Sequence, residues 1–231
     1  TKSLRAELLI VLTLTFGISG VRAVLNLINS LAAPQRLDEQ SVTLNSSQSS
    51  LAWVDMGLQL CSSAVLFSYG ALALFLLAKD RFVPRAHRAR DWLEGAGLAA
   101  LIGIPGLALY FAAVQLGWSK EVIPGDFANA WVEIPVSLLK AAANAFAEET
   151  VVVMWLMTRL RQARWSLPAA LAASSILRGS YHLYQGVSAG FGNIIMGLIY
   201  GYYYHRTGRV WPLVIAHFLI DAVAFVGYSF L

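Results

Sequence analysis

Charge is scarce in this chain. Asp, Glu, Lys and Arg make up 13% of its 231 residues, against about 25% in soluble domains. With 58% hydrophobic residues and a mean hydropathy of +0.61, that scarcity excludes an ordinary soluble core. Cysteine is nearly absent too. Cys61 is the single one, which excludes an intrachain disulfide and a multi-cysteine metal site. It lies in an apolar run and reads as a small buried hydrophobe. Strict apolar/polar alternation is missing, which argues against a β-barrel. Internal repeats and low-complexity segments are missing as well. The net charge of +4 comes from short basic loops, a pattern of membrane orientation rather than of nucleic-acid binding.

What is present is a series of apolar runs of about 20 residues, the length that crosses a bilayer. They predict an all-α, polytopic transmembrane helical bundle, with residues 1–231 forming a single transmembrane domain. About seven spans are expected: Glu7–Leu31, Leu51–Leu77, Gly95–Leu116, Val132–Met157, Leu167–Tyr184, Val187–Tyr204 and Pro212–Tyr228. The first run is too long for the apolar core of a signal peptide and reads as a retained span. Twelve Lys and Arg residues fall on one side of such a bundle: Lys2, Arg5, Lys79, Arg81, Arg85, Arg88, Arg90, Arg159, Arg161, Arg164, Arg206 and Arg209. Arg36 and Lys120 fall on the other. The cation rule then puts the N-terminus in the cytoplasm and the C-terminus outside. A cell (plasma) membrane protein of bacterial type is expected.

The loops fit this layout. The polar stretch Gln35–Ser50 reads as external. The basic stretch Lys79–Trp92 reads as a cytoplasmic linker that fixes topology, with attachment to anionic lipid as its functional alternative. Pro105 is expected to kink the third helix. Gly197 and Gly201 form a GxxxG pair, read as helix packing within the chain. Tyr200, Tyr202, Tyr203, Tyr204 and Trp211 suit the membrane interface. His87 and His205 read as solvated interface residues.

Against this background a few ionisable residues stand out. Charge at bilayer depth costs roughly 2.5–3.5 kcal/mol per residue on insertion scales. Such groups face a protein interior or a wet cavity and are functional candidates. Glu148 and Glu149 lie in AFAEETVVVMW, Arg178 and His182 in SSILRGSYHLY, and His217 and Asp221 in VIAHFLIDAVAF. Residues four apart share a helix face. Lys140, Asn144 and Glu148 therefore make one stripe. Ser174, Arg178, His182 and Gln185 make a second, and His217 and Asp221, with Tyr228 further along, make a third. Glu149 points about 100° from Glu148, so the two glutamates are expected to have different tasks. Lys140 reads as snorkelling or pairing with Asn144. Arg22, deep in the first run, reads as a ligand for a lipid head group or for a carboxylate.

These groups suit hydrolysis. A carboxylate in an apolar pocket can take and return a proton, an imidazole beside it can orient water, and a second imidazole can bind an oxyanion. Two histidines and a carboxylate are also the ligand set of a catalytic metal, such as zinc, with water in the open position. No HExxH motif is present, so such ligands would come from separate helices. Cofactors are thus one divalent metal or none.

The motif order EExxxR, FxxxH, HxxxN/D is that of a known family. The chain resembles the type II CAAX prenyl endopeptidases and their bacterial relatives, the CPBP intramembrane proteases. Here the motifs read EETVVV (148–153), RGSYH (178–182) and HFLID (217–221). The family-like core is about 132–230. The resemblance implies Glu148 and His182 activating the attacking water and His217 and Asp221 at the oxyanion, with Glu149 supporting. It implies an intramembrane endopeptidase acting near the cytoplasmic face on a membrane-associated, lipidated or lipoprotein-like substrate. Some accounts of the family make Glu148, His182, His217 and Asp221 metal ligands.

Three departures follow. Val153 stands where the first motif has arginine, and Arg178 stands where the second has phenylalanine. Arg178 is therefore expected to replace the missing cation and to pair with Glu149 or Glu148. Asp221 ends the third motif, and a carboxylate donates to an oxyanion only when protonated. Competing readings are a structural polar network, a degenerate family member acting as membrane partner, regulator or self-immunity protein, and a proton-coupled transporter. The absence of inverted repeats argues against the last.

Overall fold

The computed structural model describes residues 2–123 and 129–227. Tyr228, and the end of the core expected over 132–230, lie outside the described residues. The described residues are all-α apart from two three-residue strands, β1 (Ser41–Thr43) and β2 (Glu121–Ile123), paired in one small sheet. It divides into two compact units.

The first unit comprises Thr1–Ser41, Ile104–Glu121 and Val151–Gly208. Helix α1 (Lys2–Leu12) passes through a π-helical turn (Thr13–Gly17) into α2 (Ile18–Ala32). The same unit holds α6 (Leu156–Gln162), α7 (Leu167–His182) and α8 (Val187–Thr207). Local chemistry sets the ends of α7 and α8. Ser166 accepts a hydrogen bond from the Ala169 amide, and Pro168 follows in the first turn, which pre-organises a helix start. Gly208 closes α8 at φ 63°, a left-handed cap that glycine adopts without a Cβ clash. Helix α7 packs on α2, α6 and α8. The GxxxG pair serves that packing: a Cβ on Gly197 would lie 2.8 Å from Ser175 Cα, and one on Gly201 2.7 Å from a Leu171 methyl.

The second unit comprises Val42–Gly103, Val122–Thr150 and Arg209–Leu231. It holds α3 (Ala52–Ala78), the start of α4 (Arg90–Gln115), α5 (Ala130–Glu148) and α9 (Trp211–Phe225). Helix α5 lies between α3 and α9. Its run of small residues is why: Ala141, Ala143, Ala145 and Ala147 are all fully buried, so neighbours approach on several sides. On α3, Gly70 admits Phe146, whose ring carbon would be 2.4 Å from an added Cβ.

Among the described residues, three helices are long and apolar enough to cross a membrane: Ser3–Ala32, Ala52–Ala78 and Arg90–Gln115. Trp211–Phe225 is a shorter apolar helix. The remaining expected spans fall short for visible reasons. Helix α5 carries Glu133, Lys140 and Glu148, α7 has 16 residues, and α8 is interrupted by glycine and enriched in tyrosine. Helix α4 starts at Arg90, five residues before the sequence reading, because Asp91 accepts the Arg88 amide at 2.9 Å. It runs on through Pro105.

Three sequence readings are corrected here. Cys61 is exposed, since an apolar helix meant for lipid need not bury its outer face in protein. Arg159 and Arg209, counted as loop cations, are 2% and 8% exposed. The Arg159 Nε donates to Glu7 at 2.6 Å, and Glu7 also accepts the Trp155 indole N–H at 3.0 Å. The Arg209 guanidinium is bidentate to Asp91, with Nη2 at 2.7 Å from each carboxylate oxygen, and also donates to the Ala86 carbonyl.

Candidate active site

In the second unit, α5 and α9 bring four ionisable or amide side chains into one line. His217 Nδ1 lies 2.7 Å from Glu149 Oε1. On the other edge of the ring, Nε2 is 3.6 Å from Asp221 Oδ1. Asn144 Nδ2 donates to Asp221 Oδ2 at 3.4 Å. Glu149 is fully buried and His217 is 4% exposed, so the pair sits where an uncompensated charge is costly. Glu148 is buried beside them, and its charge bears on the His217 ring together with that of Asp221.

The helix geometry accounts for the partner of His217. A π-helical stretch, Glu149–Trp155, follows α5 directly. The Glu149 amide is shared between the carbonyls of Ala145 and Phe146, and the Thr150 hydroxyl bonds back to the carbonyls of Phe146 and Ala147. Such back-bonding loosens the α ladder, and wider turns of this kind recur at functional sites. A wheel drawn at 100° per residue sets Glu149 apart from Glu148. Glu149 is hydrogen-bonded to His217.

Proton counting limits what this line can hold. A carboxylate only accepts, so Nδ1 of His217 carries a proton toward Glu149. At Nε2 a lone pair would face the Asp221 oxygen. The arrangement is satisfied when one proton lies on that edge, either on Nε2 or on Asp221. A proton on that edge would give it a donor even though the third motif ends in an acid.

In the first unit, His182 and Arg178 lie on α7. His182 Nδ1 is 3.0 Å from the Arg178 carbonyl. A carbonyl only accepts, so Nδ1 carries the proton and Nε2 keeps the lone pair of the neutral ring. Arg178 is completely buried. Its guanidinium carbon lies 5.7 Å from the Tyr200 ring centre, and Nη1 is 3.9 Å from Met196 Sδ. Ser174, on the same stripe, donates to the Val152 carbonyl at 2.7 Å. Val153, in place of the motif's arginine, is fully buried.

Among the described residues no three His, Cys, Asp or Glu side chains gather to hold an ion. His217 has Nδ1 committed to Glu149, leaving it one nitrogen to offer, beside Asp221.

Comparison with known proteins agrees with the motif order. Residues 129–223 match the family described as type II CAAX prenyl endopeptidase Rce1-like. This segment is similar to that family. No curated protein and no solved structure matches the chain. The Rce1-like segment contains Glu148, Glu149, Arg178, His182, His217 and Asp221. The matched family is described as a prenyl endopeptidase, and the apolar helices suit a membrane protein. Glu7, Asp91 and the buried roles of Arg159 and Arg209 gave no sequence signal beyond isolated charges at the ends of apolar helices. Asn144 did give one, through its place on the α5 stripe.

Proposed function

We propose that the protein is an intramembrane endopeptidase that hydrolyses a peptide bond of a membrane-associated or lipidated substrate near the cytoplasmic face. The observation that supports this best is the line Glu149–His217–Asp221–Asn144, buried at its Glu149–His217 end, inside the Rce1-like segment. In this reading the seven helices of the sequence analysis span a bacterial plasma membrane, with the N-terminus in the cytoplasm.

The roles follow the motifs. Glu148 accepts a proton from the attacking water as it adds to the scissile carbonyl, and returns it to the leaving amine. The family resemblance gives His182, whose Nδ1 proton faces the Arg178 carbonyl, a part in activating water. His217 turns its Nε2 edge to the oxyanion, and the proton held there with Asp221 becomes the donor. Glu149 fixes the ring through Nδ1, and Asn144 fixes Asp221. Arg178 supplies the cation that Val153 does not. No step is routed through a metal. The alternative in which Glu148, His182, His217 and Asp221 bind zinc predicts that exhaustive chelation stops the reaction, and unchanged activity would reject it.

The second reading is a non-catalytic membrane partner, regulator or self-immunity protein. Val153, buried and uncharged where the motif has arginine, is what favours it. Both readings are tested by incubating the wild type and Glu148→Ala with a library of membrane peptides, lipidated ones included. The proposal predicts product from the wild type and loss of about a hundredfold or more in the variant. Equal product from both would remove Glu148 from catalysis, and no product from either would favour the partner reading.

A further inference from the structure

We propose that Lys140 is an anion-recognition residue of the same site and takes a carboxylate of the bound peptide, which rests on the endopeptidase reading. The register of α5 and α9 puts it there. The two helices meet at Asn144 with Asp221 and at Glu149 with His217. Residue numbers rise along one helix as they fall along the other, so the helices run antiparallel. One turn beyond Asn144 on the same face is Lys140, level with Phe225, the last residue of α9. The line thus runs from buried acids at one end to a cation at the other.

Lys140 is half-buried. Among the described residues it makes no hydrogen bond and no ion pair. Asn144, the partner expected within the stripe, turns its Nδ2 to Asp221 and makes no hydrogen bond to Lys140. Ser137, the polar residue before it on this face, is bonded to Asn45 at 3.0 Å. An ammonium in an apolar helix without a counter-charge is costly, and a bound anion offsets that cost. A peptide lying along the α5–α9 line offers two carboxylates, its free terminus and an acidic side chain.

The test uses the full chain in nanodiscs and three dye-labelled membrane peptides of one sequence: free terminal acid, terminal amide, and an internal Asp changed to Asn. Binding and cleavage are measured separately for the wild type, Lys140→Met and Lys140→Arg. The wild type should bind one of the two neutralised peptides about tenfold more weakly than the parent, and which one identifies the carboxylate. Lys140→Met should lose that difference and Lys140→Arg should keep it. Charge discrimination that depends on Lys140 without any cleavage would uphold this site while rejecting the hydrolase. Cleavage with equal discrimination in the wild type and Lys140→Met, or with none in either, would overturn the Lys140 role and leave the hydrolase standing. Loss of co-purified anionic lipid from Lys140→Met, with peptide discrimination unchanged, would also overturn it and assign the cation to a lipid phosphate. Removing an unpaired charge should not lower the melting temperature, so a variant melting well below the wild type would mark Lys140 as structural and overturn the proposal.

Discussion

Two histidines of the Rce1-like segment are held in opposite ways. On α7, His182 Nδ1 is satisfied by a backbone carbonyl, which no side-chain substitution removes. On α9, His217 lies between the carboxylates of Glu149 and Asp221, each of which a single substitution can neutralise. The first ring has its Nδ1 proton directed to the backbone. The second has a protonation state that depends on its neighbours. The contrast separates a ring held by the backbone from a ring held by side chains within one matched segment.

The sharpest way to break that comparison is to remove the group that is proposed to move the proton. Glu148→Gln should lower kcat/KM for peptide cleavage by about 10²–10⁴, the usual contribution of a general base. A loss below tenfold would leave Glu148 outside the proton path. The next effect concerns stability rather than chemistry. Asp91→Ala strands the buried Arg209 guanidinium and should destabilise the protein by about 3–5 kcal/mol, read as a lower unfolding midpoint in detergent. An unchanged midpoint would mean that Arg209 finds another partner. Gly197→Val tests the packing around His182. Its Cβ would press on Ser175, at a cost of about 1–3 kcal/mol, and cleavage should fall with stability rather than ahead of it. The smallest effect is expected for Asn144→Ala, which removes one long hydrogen bond to Asp221. It should lower kcat by less than about tenfold, and a larger loss would give Asn144 a direct catalytic part.

Much of the helical layout was legible from residues alone. Apolar runs, the Ser166–Pro168 start of α7 and the Gly208 stop of α8 are local signals, and the helix limits follow them closely. Four of the candidate ionisable residues were legible as stripes because α9 and α7 keep a regular four-residue repeat. The partner of Glu149 was not, since a π-helical turn changes the phase from Glu149 onward and no residue in ETVVVMW announces it. The Glu7–Trp155–Arg159 contact joins residues 148 and 152 positions apart in sequence. Pairing at that distance depends on how helices pack, and a charge at a helix end reads equally well as solvated. The same holds for Asp91 and Arg209, 118 positions apart.

The central claim is that His217, held by Glu149, is a working group of a peptide hydrolase. The measurement that tests it most directly is cleavage of a fluorogenic membrane peptide by the wild type and by His217→Gln at matched folding, verified by equal melting temperatures. The account predicts a loss of about 10²–10³ in kcat, as for the removal of an oxyanion donor. Equal rates for the two proteins would contradict it.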